Sequence, residues 1–143
     1  MKKSILLLFS FLTIISCSKE EEETQNILGK WNVEETTIFH TNQVFTSEVT
    51  ISFEMDFKEN GEGISDRIIS SFEEFHWVVD ELENKAFIIR AFIFQNGEEV
   101  YSTQKFDIEK NTTSEQIWKR KISYSNSASG DLEERFITWT LTK

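Results

Sequence analysis

Val49-Thr50-Ile51-Ser52-Phe53-Glu54-Met55-Asp56-Phe57 decides the fold, because every odd position is apolar and every even position is polar. A period of two sends alternate side chains to opposite faces of a strand, one buried and one wet, whereas a helix needs a period of 3.6. The composition points the same way. Among 143 residues there is no proline, only 5 glycines, and as many as 13 Phe and 4 Trp. Aromatic side chains, together with the many Ile and Thr, pack well on a pleated surface.

Working outward from that segment, the same parity predicts eight strands punctuated by Asn-Gly and Ser-Gly steps. The first spans about 30–39 and the second, which holds the quoted stretch, about 48–57. Asn60-Gly61-Glu62-Gly63 turns into a third near 64–71, and Phe75, Trp77 and Val79 mark a fourth. Glu83-Asn84 leads to a fifth over 86–94, and Gln95-Asn96-Gly97-Glu98 to a sixth over 100–108. The last two cover 117–124 and 133–142. No stretch has a helical period and there is no internal repeat. A single all-β domain over 27–143 is expected, an eight-stranded antiparallel up-and-down barrel, whose closure removes free edges and leaves room for side chains or one small ligand.

The N-terminus is of another kind. Met1-Lys2-Lys3 is positive, Ser4 to Ile15 is a short apolar run, and Ile14-Ile15-Ser16-Cys17 resembles a bacterial lipoprotein cleavage site. An ordinary secretory signal needs a small residue at minus three, where Ile14 stands. A transmembrane helix needs about 20 apolar residues, and this run is shorter. Residues 1–16 are read as a lipoprotein signal peptide and Cys17 as the acylated anchor. As the single cysteine, it leaves no disulfide for the domain. Each buried methylene contributes ~0.8 kcal/mol, and two or more chains hold a protein firmly.

Residues 17–26 then carry Glu20-Glu21-Glu22-Glu23 with no apolar side chain, which reads as a solvated spacer. The tract also resembles the acidic stretch of some surface-displayed lipoproteins. The expected location is the outer membrane, facing either the cell surface or the periplasm. The net charge of −10 becomes more negative once Lys2 and Lys3 are removed. Such a surface repels nucleic acid and anionic head groups, leaving the acyl chains as the membrane contact.

Ile27-Leu28-Gly29-Lys30-Trp31, at the start of the first strand, resembles the Gly-x-Trp signature of lipocalins. Phe57-Lys58-Glu59-Asn60-Gly61-Glu62-Gly63 and the closing Trp139-Thr140-Leu141-Thr142-Lys143 are similar to segments of the small lipocalin-like lipoproteins of bacteria. The resemblance implies that Gly29 and Trp31 are structural, with Trp31 closing the barrel floor. It also implies a small apolar cargo, fatty-acid-like.

Alternating strand direction brings Phe39, Val49, Phe75, Ile93, Val100, Tyr124 and Arg135 to the open mouth, and Trp31, Phe57, Val79, Ile108 and Leu141 to the floor. The mouth set either lines a ligand site or is plain core packing. Parity also turns Glu35 and Arg120 inward. An unpaired charge inside costs several kcal/mol, roughly. Arg120 therefore pairs with Glu35 or anchors a ligand carboxylate, unless a bulge turns one of the two outward. In the fifth strand, Phe87, Ile89, Ala91 and Ile93 take the inward parity, which leaves Ile88, Phe92 and Phe94 as an outward stripe. That stripe is covered from within the chain or offered to a second copy or an envelope protein.

His40 and His76 are the only histidines, and neither stands in a catalytic or metal-ligand spacing. No enzyme, metal or cofactor is expected. Asn111-Thr112-Thr113 matches a glycosylation sequon but reads as a turn. Two functions of different kinds remain. One is a lipid-anchored barrel holding a small apolar ligand, and the other an interaction module with a filled barrel.

Overall fold

The computed structural model describes residues 26–68, 71–80, 82–93, 97 and 99–143, and side chains at all of these but 68, 71, 72, 92 and 93. The expectations placed on residues 1–25, Cys17 included, and on Phe94 lie outside the described residues. Eight strands follow one another: β1 (Gly29–Thr41), β2 (Val44–Phe57), β3 (Glu62–Ile68), β4 (Ser71–Asp80), β5 (Lys85–Ile93), β6 (Glu99–Asn111), β7 (Glu115–Ser125) and β8 (Leu132–Thr142). They form a closed antiparallel barrel in sequence order, as expected, with β8 returning to β1.

Local chemistry explains the turns. Asn42 and Gln43 both have positive φ, at 50° and 66°, and link β1 to β2 in two residues. That is the type I′ geometry, whose twist matches a right-twisted hairpin. At the opposite end Gly61 supplies the positive φ of 79° that the turn into β3 needs.

The quoted stretch explains the core. Phe53, Met55 and Phe57 of β2 are buried and their even neighbours are half-buried or exposed. Val49 and Ile51 share the same parity yet are 50% and 38% exposed. The ladder with β3 accounts for this, since among the described residues it runs only from Phe57↔Gly63 to Met55↔Ser65.

Ladder length separates two ends of the barrel. The hairpins β1–β2 and β7–β8 are paired along their whole length, and so is the closing pair β1–β8, from Asn32↔Thr142 to Thr41↔Glu133. Among the described residues the β2–β3 ladder stops at Met55↔Ser65, the β4–β5 ladder at His76↔Ile89 and the β6–β7 ladder at Asp107↔Lys119. All three join hairpins at the floor and part towards the mouth.

The floor is dry and aromatic. Trp31, Phe57, Phe106, Trp118, Trp139 and Leu141 are each at most 1% exposed. Phe57 packs edge-on against Phe75, Trp77 and Trp118, and Trp118 stacks on Trp139. Such geometries add about 0.5–1.5 kcal/mol each beyond area burial. Trp31 donates to the Ile27 carbonyl at 2.6 Å, and Lys143 Nζ lies 4.5 Å from its ring centroid.

The fifth strand departs from expectation. Ala86, Ile88 and Arg90 point inward, at 1%, 0% and 3% exposure, so the parity is opposite to the one read from the sequence. Ile88 is core and cannot serve as an interface residue. Phe92 and Ile93 lie on β5, but their side chains are outside the described set.

Candidate functional site

Above the aromatic floor the inward positions change character. Glu35 on β1, Arg67 on β3, Glu73 on β4, Arg90 on β5 and Arg120 on β7 come together inside the barrel, each from a different strand. The layer holds three guanidiniums and two carboxylates.

Glu35 is fully engaged. Its Oε1 accepts from Arg67 Nη2 at 2.6 Å and its Oε2 from Trp139 Nε1 at 2.6 Å. Glu35 points inward as its parity predicts, but its partner is Arg67 and not Arg120. The Arg67 guanidinium also lies over the Phe53 ring, 5.5 Å from its centroid, within cation–π range.

Arg120 is half-buried and lies over Phe106, 5.4 Å from the ring centroid. Phe106 is on β6, so this contact spans the seam above which β6 and β7 part. Burial pushes the Arg120 guanidinium below its usual range, against the pull of Glu35 and with the push of Arg67. Charge still favours the cation here, because arginine starts so high.

Arg90 is the most deeply placed charge. Its side chain is 4% exposed, its nearest carboxylate is Glu73 with Oε2 3.4 Å from Nε, and neither Nε nor Nη2 makes a hydrogen bond. Burial lowers its pKa first, Glu73 and Glu35 raise it, and Arg67 and Arg120 lower it again. Sequence reasoning misses both Arg67 and Arg90. Arg67 follows Gly63 and Ser65 at inward spacing, which is a usable signal. Arg90 is hidden by the ambiguous parity of its strand.

Towards the mouth, Arg135 on β8 is sandwiched between Phe39 and Tyr124, its guanidinium 5.3 Å and 5.4 Å from the two ring centroids. It donates to the Tyr124 hydroxyl at 2.8 Å, and that hydroxyl donates to Glu133 at 2.5 Å. Its Nε is buried without a partner. The expected mouth residues are thus divided. Phe39 and Tyr124 meet around Arg135, and Val49 is exposed on β2. Phe75 is no mouth residue, being 2% exposed and packed on Phe57 in the floor.

The outer wall carries exposed apolar side chains, but not the expected ones. Phe45 near the start of β2 is 59% exposed and Tyr101 on β6 is 60% exposed, while Val44, on the opposite face at the rim, is 67% exposed. A cleft of about 430 Å³ lies on the outer wall where β4 and β5 part, lined by Glu74, Phe75, His76, Ile89, Ala91 and Tyr101 among others.

Searched against protein-family models, curated proteins and solved structures, the chain matches none.

Proposed function

We propose that this chain is a lipid-anchored outer-membrane protein, lipocalin-like in build, that holds a small, fatty-acid-like molecule in the upper half of its barrel. The observation that carries this reading is the division of the interior. The floor is filled by its own aromatic side chains, which leaves a cargo only the space above the charged layer. A wholly apolar cargo is a poor match for three inward-facing guanidiniums, one of them fully buried, whereas an acid with an apolar body is complementary to both parts. Acylation of Cys17 supplies the membrane attachment, and the acidic 17–26 segment the spacing from it.

The experiment is native mass spectrometry of the protein purified from its own host, followed by extraction and identification of whatever is released. A stoichiometric apolar acid supports carriage. An empty protein that runs as a dimer, or brings down an envelope protein, supports an interaction module instead. That second reading is favoured by one observation, the exposure of Val44 and Phe45 beside the turn of the β1–β2 hairpin.

A further inference from the structure

We propose that Arg90 is the anchor for the ligand's acidic group, and that the ligand lies with its head at the floor and its tail towards the mouth. The inference rests on the carriage reading above and assigns its polar end.

Geometry selects Arg90 over its neighbours. Nε–H and the Nη2 amino group share one edge of the guanidinium, the edge that takes a carboxylate side-on through two parallel N–H···O bonds. In Arg90 both of these atoms are buried and without a hydrogen-bond partner. A buried unsatisfied donor costs about 1–3 kcal/mol and more when charged, so a native fold seldom keeps one without use. Arg67 is committed to Glu35, and Arg120 rests on Phe106.

The charge balance gives the class of ligand. Within the layer, three guanidiniums face two carboxylates, and both oxygens of Glu35 are engaged. One further negative charge brings the layer to neutrality, which describes a monocarboxylate. Glu73, 3.4 Å from Nε, stands beside the free edge and competes with an incoming acid without saturating it.

Orientation follows from what lies on each side. Below Arg90 is closed aromatic packing. Above it the interior runs to Phe39, Tyr124 and Arg135. Tyr124 lies four positions beyond Arg120 on β7, about 13 Å of strand at ~3.3 Å per residue, which is the length of a medium alkyl chain.

The test uses the processed chain in lipid nanodiscs, with empty nanodiscs subtracted, decanoate and decan-1-ol as probes, and tryptophan fluorescence as the readout. Decanoate is expected to bind about tenfold more tightly than the alcohol, or better. Arg90→Met is expected to abolish that preference, and Lys105→Met on the outer wall to leave it intact. Acid and alcohol binding equally to the wild type, or a preference that survives Arg90→Met, overturns the anchor while leaving carriage standing. Binding of neither probe overturns both. Should Arg90→Met fail to fold, Glu73→Gln decides the matter, since removing the competing carboxylate is expected to tighten decanoate binding several-fold. Unchanged or weaker binding in that variant overturns the anchor.

Discussion

Glu35 and Trp139 are register partners across the pair of strands that closes the barrel, and the indole Nε1 of Trp139 donates to Glu35 Oε2 at 2.6 Å. One side chain thus ties the closing seam, and through Arg67 it also reaches β3. Glu35→Ala leaves a guanidinium and an indole N–H without their acceptor. A loss of about 3 kcal/mol is expected by urea denaturation, at the low end for a broken buried pair because Arg67 is partly exposed. Glu35→Gln keeps an acceptor for Trp139 and is expected to cost less.

Gly63 is required for space. A Cβ built there would lie 2.1 Å from the Phe75 ring. Gly63→Ala is expected to destabilise the protein by about 1–3 kcal/mol through overpacking. Combining it with Phe75→Leu is expected to cost less than the sum of the two single changes, a coupling that a double-mutant cycle reads directly.

Asn42 braces two hairpins at the mouth. Its Nδ2 donates to Asp131 at 2.8 Å, and its Oδ1 accepts from the Leu132 amide at 2.9 Å. The bond from Asn42, then that from Ser129, holds the Asp131 carboxyl below its usual range. A depressed folded pKa contributes stability that is present above the unfolded value and lost as pH falls through the folded one. The difference in melting temperature between wild type and Asn42→Ala is therefore expected to narrow on acidification from about pH 6 to below ~3.9, the free aspartate value.

Opposite faces of β5 predict opposite outcomes. Ile88 is fully buried and Ile89 is not. Ile88→Ala is expected to cost about 2–5 kcal/mol, as for other large-to-small core changes. Ile89→Ala is expected to cost distinctly less in chemical denaturation, and a larger loss for Ile89→Ala than for Ile88→Ala would overturn the assigned parity.

That strand shows where one-dimensional reading fails. The burial of Trp31, Glu35 and Trp118 is legible because Trp31 and Val33 in β1, and Trp118 and Ile122 in β7, set an inward parity that carries through each strand. In β5, Phe87-Ile88-Ile89-Arg90-Ala91-Phe92 is apolar on both parities, so hydrophobicity does not tell its two faces apart. A lone charge in such a run reads as solvent-facing, although the fold puts Arg90 inside. The same limit hides Arg67, because its partner Glu35 lies 32 positions away and only barrel closure makes them neighbours. Taking Phe75 as the start of its strand sends it to the mouth, whereas β4 begins at Ser71 and the register Phe57↔Gly63↔Phe75 sets it level with the floor.

The three seams that part above the floor have a consequence for what the rim can do. Staves joined firmly at the base and left unjoined above can splay without breaking a backbone bond, so aperture is decoupled from integrity. Close packing is concentrated in the tryptophan-rich base, so sequence change around the rim is expected to carry a small thermodynamic cost. A single scaffold of this build can therefore vary at its rim without being refounded.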